Sequence, residues 1–403
     1  MSHIKTLKEL GKNDTHIAGG KGASLGEMTS AGIPVPPGYV VLSCAFDRFV
    51  EETGWIEIDA ILDKVVFEEM HTIENASEEI QALIMGAEMP SDLTSEITSH
   101  FQALGAKFVA VRSSATSEDS STAAWAGQLD SFLNTTGETL LENVKKCWAS
   151  LFTPRAIFYR KEKNLHNQKI SVAVVVQKMV ESFASGIAFS VHPVTQSENQ
   201  AIIEAGFGLG EAIVSGQITP DSYVVEKEPR RIIDKNVHVQ SRGLYRKAEG
   251  GNEWRTLPET EGGRQVLSDS EIMELTELVI RIERHYGFPC DIEWAREKAR
   301  FYIVQSRPIT TLSNKPANNT ETRLTIKDFI LEFEAEGLKP LFQELMFKNY
   351  YPPYSLMTFK DNVLRSLIHK KTWVEMGQKG LELMSDEKNR TFENAISDIK
   401  RVK

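Results

Sequence analysis

Apolar residues recur at helical spacing in the first quarter of the chain. Between residues 44 and 101 they stand three or four positions apart, which places their side chains on one face of a helix. A shorter apolar run at residues 39–42 is typical of a strand. Pro90 and Ser91 interrupt the helical pattern and indicate that a further helix begins there. We therefore expect several helices and one strand before residue 105.

Short runs of β-branched and aromatic residues dominate from Lys107 onward. Runs of this kind, bounded by turn residues, are typical of strands. They occupy residues 108–111, 131–133, 172–177, 186–189, 201–204 and 222–225. Because helical stretches separate them, the pattern predicts an α+β fold.

Two later helices carry sequence signals at their starts. Thr153 followed by Pro154 combines a capping threonine with a proline at the first helical position, which predicts a helix up to residue 163. Residues 268–286 show an amphipathic stripe that follows a polar cap, and this pattern predicts a surface helix with one buried face.

A charged connector separates two strand-like runs at residues 291–294 and 301–306. This arrangement predicts an antiparallel hairpin. A register centred on the connector sets Glu293 across from Ile303 or Gln305, so that a carboxylate and an amide share one face of the sheet.

Polar side chains on this hairpin suit a magnesium site. Asp291, Glu293 and Gln305 supply the oxygen ligands that hard divalent cations prefer. Arg307 adds a cation that can bind phosphates. A cross-strand polar pair on a wet sheet face explains the same residues equally well.

A lysine stands among glycines near the N-terminus. Gly19, Gly20, Lys21 and Gly22 predict a glycine-rich turn, in which backbone N–H groups and one ammonium can approach an oxyanion. The order of residues is not that of a P-loop. An ordinary glycine turn with a solvated lysine is the alternative.

An arginine and a second glycine cluster also suit anions. Arg112 ends a predicted strand and precedes Ser113, Ser114 and Thr116; its guanidinium can clamp a phosphate with two hydrogen bonds. A surface salt bridge beside a hydroxyl turn is the alternative. The glycine cluster at residues 206–211 follows a strand and opens a helix, but it lacks the full dinucleotide fingerprint.

The net charge of the chain limits which kinds of molecule it can bind. The 403 residues carry 46 basic and 56 acidic side chains, and the net charge of −10 opposes sequence-independent binding of nucleic acid. An anionic substrate must therefore be held by local cations and backbone amides. The length predicts two or three domains.

Cysteine usage and hydropathy bear on the location of the protein. Three widely spaced cysteines offer neither a disulfide framework nor a paired metal site. The charged N-terminus lacks the apolar core of a secretory signal. The most apolar stretch, residues 172–180, is too short to cross a bilayer. We expect a cytoplasmic protein without membrane insertion.

A series of motifs, taken in order, resembles one family. They read GGKGASLGEM from residue 19, IPVPPGYVV from 33, VRSSATSEDS from 111, AGQLDSFLN from 126, CWASLFTPRAIFYR from 147, GFGLGEAIVSG from 206, and DIEWA with FYIVQSRPIT from 291. Over residues 1–312 the chain is similar to the nucleotide-binding portion of phosphoenolpyruvate synthases. Their relatives include pyruvate phosphate dikinases and rifamycin phosphotransferases.

The resemblance implies an ATP-grasp fold, in which two α+β subdomains enclose a nucleotide cleft. Residues 1–105 would form the N-terminal subdomain and residues 106–312 the remainder of the nucleotide-binding domain. Residues 313–403 would form a linker and a partial helical tail that leads to downstream domains. The implied cofactors are ATP and Mg²⁺.

The resemblance also implies roles for individual residues. Lys21, Arg112 and Arg307 would be catalytic and bind the phosphates, with Arg307 at the γ-phosphate. The implied nucleotide ligands are Lys21, Arg112, Thr116, Gly127, Gln177, Lys178, Met179, Glu293, Gln305 and Arg307. The purine would lie near residues 177–179, and Gly127 would belong to a loop over the phosphates. The implied magnesium ligands are Glu293, Gln305 and Asp291.

For function, the resemblance implies that MgATP phosphorylates a histidine on a carrier domain, which then phosphorylates pyruvate. The overall products would be AMP, phosphate and phosphoenolpyruvate. The glycine-rich histidine motif of that carrier does not occur in residues 1–403. The sequence would then be a truncated form, one product of a split gene or an expressed fragment, with the carrier supplied by another chain or absent here. Two alternatives stay open: the ATP-binding module of a rifamycin phosphotransferase-like enzyme, and a nucleotide-binding regulatory protein without turnover.

Overall fold

The computed structural model describes residues 2–116, 129–163, 165, 170–309 and 312. The chain divides into two compact units, Met1–Pro193 with Ser197–Thr311, and Val194–Gln196 with Leu312–Lys403. Every helix and strand described below belongs to the first unit. The predicted helical region at residues 313–403 lies outside the described residues.

Helices and strands are mixed along the chain, which confirms the predicted α+β class. The strands are β1 Ile4–Thr6, β2 Gly38–Val41, β3 Val109–Ala115, β4 Ser131–Thr135, β5 Val172–Lys178, β6 Ala184–Phe189, β7 Gln200–Phe207, β8 Asp221–Glu226, β9 Arg231–Asn236, β10 Arg242–Arg246, β11 Asn252–Thr256, β12 Cys290–Glu297 and β13 Arg300–Pro308. The helices are α1 Thr15–Ser30, α2 Ser43–Thr53, α3 Trp55–Leu62, α4 Met70–Gly86, α5 Ser91–Leu104, α6 Leu140–Ala149, α7 Pro154–Glu162, α8 Glu211–Val214, α9 Glu259–Gly262 and α10 Asp269–Tyr286.

The strands form two larger sheets and one smaller ribbon. A five-stranded antiparallel sheet has the order β1-β2-β5-β3-β4. A six-stranded antiparallel sheet has the order β13-β12-β6-β7-β8-β9. β10 and β11 form a separate ribbon. Strands from both sides of residue 105 pair in the five-stranded sheet.

Two hydrophobic cores cover the two faces of the five-stranded sheet. In its central strand β5, Val172, Val174 and Val176 face the core made with α2 to α7. Ala173 and Val175 face the core shared with α1, α10 and the six-stranded sheet. Successive side chains of a strand point to opposite faces, so burial on both faces explains the unbroken apolar run.

The glycine-rich segment near the N-terminus is a kinked helix, and the predicted turn is wrong. Within α1, Gly19 has a φ of 68°, in the left-handed region that favours glycine. A Cβ at Gly19 would lie 2.2 Å from the hydroxyl oxygen of Ser114 in β3. Glycine is therefore required both by the backbone conformation and by the close approach of α1 to β3.

The predicted starts of two helices are confirmed. The hydroxyl of Thr153 accepts a hydrogen bond from the N–H of Ala156, and Pro154 is the first residue of α7. Ser268 caps α10 in a reciprocal capping box with Glu271. Local side-chain chemistry therefore sets where both helices begin.

Strands β1, β9, β10 and β11 were not predicted from the sequence, which indicated one strand before residue 105 where the structure has β1 and β2. β9 is exposed along most of its length, and β11 is exposed or partly exposed throughout. Because neither strand buries one whole face, neither shows the alternation of apolar and polar residues that marks a half-buried strand.

Candidate functional site

A cleft of about 420 Å³ lies between the two larger sheets. β3, β4 and β5 supply one wall, and β6, α8, β12 and β13 supply the other. The cleft brings together most of the residues that the resemblance implies, namely Lys21, Arg112, Gln177, Lys178, Met179, Glu293, Gln305 and Arg307. These residues come from segments far apart in the sequence.

Lys21 reaches the cleft because α1 is tied to β3 beside it. The hydroxyl of Ser114 accepts a hydrogen bond from the N–H of Gly22 at 3.2 Å and donates one to the carbonyl of Ala18 at 2.9 Å. These two bonds span the kink in α1. Ser114 and Arg112 share one face of β3 because they are two residues apart, and Lys21 and Arg112 both line the cleft.

One face of the β12–β13 hairpin carries two polar cross-strand pairs. Glu293 is in register with Gln305, and Asp291 is in register with Arg307. The predicted pairing of a carboxylate with an amide is therefore confirmed. The register shifts after Glu293 and passes over Val304, and an irregularity of this kind frees backbone groups for other bonds.

Arg112 joins the two walls of the cleft. Its Nη1 donates a hydrogen bond to the carbonyl of Val304 at 2.8 Å. Its Nη2 donates to Oε2 of Glu293 at 3.0 Å and to Oε1 of Gln305 at 2.7 Å. Only 11% of the Arg112 side chain and 20% of the Glu293 side chain are exposed. Three acceptor oxygens from the hairpin therefore converge on one positively charged group.

Arg307 lines the cleft with a carboxylate behind it. Its Nε and Nη2 lie 2.8 and 2.7 Å from Oδ2 of Asp291. Burial raises the pKa of Asp291, whereas the charge and hydrogen bond of Arg307 act in the opposite direction. In this geometry Asp291 positions Arg307 and does not itself line the cleft.

A more apolar part of the cleft lies further along the five-stranded sheet. Arg112 is in register with Val175, and Ala110 with Gln177, so the residues that follow Gln177 lie away from the arginine. Met179, among them, packs against a small cluster formed by Leu209, Ala212 and Leu244. The cleft therefore has a charged part and an apolar part.

Some backbone N–H groups in the apolar part of the cleft already donate hydrogen bonds within the protein. The N–H of Lys178 donates to the carbonyl of Pro37 at 2.9 Å, and the N–H of Met179 donates to the carbonyl of Phe108 at 3.1 Å. A ligand in this part of the cleft must therefore rely on apolar contact and on other backbone groups.

Thr116, like Asp291, is implied by the resemblance but does not line the described cleft. The hydroxyl of Thr116 donates to the carbonyl of Ser171 at 3.1 Å, next to the N-terminal end of β5. Gly127 lies outside the described residues. A role for either residue in binding stays a prediction.

Glu211 lines the cleft and was given no role in the sequence analysis. It is the first residue of α8, which has four residues. An acid at a helix start opposes a bound anion there, so the anion site suggested by the glycine cluster at residues 206–211 is not favoured. In the sequence, Glu211 could have been noticed as an acidic residue at the end of the glycine cluster. Residue spacing alone, however, does not show that its side chain faces the cleft.

The donor set of the charged part fits a hard divalent cation. Oε2 of Glu293 and Oε1 of Gln305 converge on one nitrogen of Arg112, and carboxylate and amide oxygens are suitable magnesium ligands. Among the residues that the structure describes, no three His, Cys, Asp or Glu side chains cluster as a metal site. A cation here would therefore need further oxygens from a ligand or from water.

Comparison with protein families identifies the chain. Residues 15–328 match the model of the pyruvate phosphate dikinase AMP/ATP-binding domain. The chain belongs to this family. The resemblance drawn from the motifs is therefore confirmed for the AMP/ATP-binding domain. Within the described helices of this family member, none is long and apolar enough to cross a membrane.

Members of the family with curated names are similar over most of this chain. The probable phosphoenolpyruvate synthase of Archaeoglobus fulgidus is 47% identical over 313 residues, which are 76% of this chain and 41% of that protein. For the probable phosphoenolpyruvate synthase of Methanocaldococcus jannaschii, the identity is 44% over 320 residues, 77% of this chain and 27% of that protein. The rifampicin phosphotransferase of Bacillus subtilis is 38% identical over 347 residues, 84% of this chain and 40% of that protein. The chain spans less than half the length of each of these relatives.

Proposed function

We propose that this chain is the ATP-binding module of a phosphoenolpyruvate synthase-like dikinase, with an ATP-grasp fold. The observation that carries the proposal is the convergence of Arg112, Glu293 and Gln305 in one cleft, together with Lys21 and Arg307. Three cations and two oxygen donors in one cleft suit a triphosphate and its metal ion. The net charge of −10 makes such a local cluster necessary for an anionic ligand.

The side chains would act mainly by positioning and by stabilising charge. Lys21, Arg112 and Arg307 would bind phosphate oxygens, and Asp291 would hold Arg307 in place. Glu293 and Gln305 would hold Mg²⁺. The metal ion would neutralise part of the phosphate charge when bound. Because Arg112 binds both metal-ligand candidates, nucleotide binding would exchange these contacts for contacts with phosphate.

The phosphoryl group would pass to a histidine on a carrier domain. From the carrier it would pass to pyruvate, so that ATP, pyruvate and water give phosphoenolpyruvate, AMP and phosphate. The similarity to phosphoenolpyruvate synthases over about three quarters of this chain supports this acceptor. The cytoplasm would be the site of this reaction.

A second candidate is the ATP-binding module of a rifamycin phosphotransferase. The relative named rifampicin phosphotransferase matches 84% of this chain, so the same module would serve either acceptor. Mixing the chain with the carrier domain of each relative and measuring AMP release would separate the two. Release with neither carrier would favour a nucleotide-binding protein without turnover.

Calorimetric titration with ATP at millimolar Mg²⁺ tests the ATP-binding part of the proposal. Wild-type protein should bind ATP, and Lys21→Ala and Arg307→Ala should each weaken binding at least tenfold, since each removes a charge-assisted contact. The matched controls are Lys64→Ala and Arg264→Ala, which remove exposed charges outside the cleft lining. Equal affinities for all five proteins would contradict the proposal.

A further inference from the structure

The glycine cluster fixes the start of α8 against its neighbours. Gly208 has a φ of 85°, and a Cβ there would lie 2.2 Å from the carbonyl oxygen of Leu244 in β10. The N–H of Leu209 donates to the same carbonyl at 2.8 Å. The hydroxyl of Ser185 in β6 donates to the carbonyl of Gly208 at 2.6 Å. These contacts set the position from which the side chain of Glu211 extends into the cleft.

Two asparagines hold the Glu211 carboxylate. Nδ2 of Asn252 donates to Oε2 of Glu211 at 2.8 Å, and Nδ2 of Asn134 donates to Oδ1 of Asn252 at 2.6 Å. An ionised carboxylate only accepts hydrogen bonds, so it fixes the orientation of the Asn252 amide. Asn134 lies in β4 and Asn252 in β11. The contacts therefore run from the five-stranded sheet to the opposite wall of the cleft.

The negative charge of the Glu211 carboxylate is not neutralised by a cation among the residues that the structure describes. Desolvation raises the pKa of its carboxyl, and the hydrogen bond from Asn252 lowers it. The side chain is nevertheless exposed. No cation pairs with it in the described ranges, whereas Glu293 is paired with Arg112. Such a carboxylate repels phosphate but accepts hydrogen bonds from hydroxyl groups.

The position of Glu211 within the cleft indicates which part of a nucleotide it meets. Leu209, two residues before it, belongs to the apolar cluster against which Met179 packs. The cations lie in the charged part, with Arg112 and Arg307. A nucleotide with its base in the apolar part and its phosphates in the charged part has its sugar between them.

We propose that Glu211 accepts hydrogen bonds from the ribose hydroxyls of the bound nucleotide and that Asn252 positions it for this contact. The inference rests on the proposed function, because it requires ATP to occupy the cleft. It makes Glu211 a determinant of the preference for ribonucleotides over deoxyribonucleotides. Asn252 is a positioning residue, since it acts through Glu211.

Calorimetric titrations with ATP, 2′-deoxy-ATP and 3′-deoxy-ATP test this inference. Wild-type protein should bind ATP about tenfold more tightly than at least one deoxynucleotide, as expected for a hydrogen bond to a charged group. Glu211→Ala should lower the affinity for ATP to that for the deoxynucleotide and abolish the preference. Asn252→Ala, which keeps the carboxylate, should reduce the preference severalfold. Glu249→Ala removes an exposed charge from the turn between β10 and β11 and should leave the preference unchanged.

The possible outcomes separate this inference from the proposed function. If wild-type protein binds ATP and both deoxynucleotides equally, the inference is wrong while ATP binding stands. An equal loss of affinity for all three nucleotides in Glu211→Ala also overturns it, because the carboxylate then contacts a part that the three share. If wild-type protein binds none of them, the inference and the proposed function fail together.

Discussion

The two walls of the cleft hold their charged groups by different structural means. On the glycine side, defined here as α1 and β3, Lys21 and Arg112 are brought together by one left-handed residue, Gly19, and its contact with Ser114. On the hairpin side, defined as β12 and β13, polar residues are arranged by strand register. The glycine side therefore depends on a single backbone conformation, whereas the hairpin side depends on a repeating pattern.

Because the glycine side depends on one backbone conformation, we expect that a single added methyl group at Gly19 destabilises the protein. Gly19→Ala should lower the free energy of unfolding by about 3 kcal/mol, because it combines a left-handed alanine with a close contact to Ser114. Urea unfolding measures the change. The matched control is Gly105→Ala, also left-handed but with open space around the new Cβ, which should cost about 1 kcal/mol. Equal losses would show that the contact with Ser114 is unimportant.

Removing the side chain of Arg112, which joins the two sides, should strongly weaken the affinity for ATP. Arg112→Ala removes one cation and leaves Glu293 and Gln305 without this donor. We expect ATP affinity to fall at least about a hundredfold, which corresponds to about 2.7 kcal/mol. Calorimetry at constant ionic strength measures it, with Arg264→Ala as control. A loss below about threefold would contradict a role for Arg112 at the phosphates.

Magnesium should strengthen ATP binding by contacting Glu293 on the hairpin side. Glu293→Gln keeps the shape of the side chain but removes the charge that a divalent cation prefers. Wild-type ATP affinity should fall about tenfold when chelator replaces Mg²⁺, and the variant should lose most of this dependence. Titrations with and without magnesium measure both. An undiminished magnesium effect in the variant would exclude Glu293 as a metal ligand.

Each of the two hydrophobic cores contains one buried cysteine, Cys147 in the first and Cys290 in the second, and their ionisation should make stability depend on pH. Burial raises the pKa of Cys147 and of Cys290 to about 12. The unfolded chain therefore releases these protons first, and stability should fall as pH rises above about 8.5. At pH 9.5 each thiol should cost about 1 kcal/mol relative to pH 8.

Alanine variants separate the two thiols. Urea unfolding at both pH values should show a smaller pH dependence in Cys147→Ala and in Cys290→Ala than in wild-type protein. Cys44→Ala is the comparison variant: its thiol is exposed and desolvation raises its pKa less than in the two buried thiols, so it should change the pH dependence least. Unchanged pH dependence in both core variants would mean that these thiols ionise equally in the folded and unfolded chain.

The contrast between the two sides explains how much the sequence predicted. A register centred on the hairpin connector set Glu293 opposite Ile303 or Gln305 without knowledge of any other segment, and the structure selects Gln305. The conformation of Gly19 was missed, because it depends on β3, which is distant in sequence. The contact of Arg112 with the hairpin also depends on tertiary packing, and spacing along the chain cannot reveal it. Only the family resemblance brought these segments together.

Photolabelling with an azido-ATP tests the central claim most directly. The protein would be irradiated with the probe and Mg²⁺, with and without excess ATP, and labelled peptides would be identified by mass spectrometry. The account predicts ATP-protectable labels near residues 177–182 or 209–215, two segments that contribute residues to the lining of the cleft. Protectable labelling confined to other surfaces would contradict the claim that this cleft binds the nucleotide.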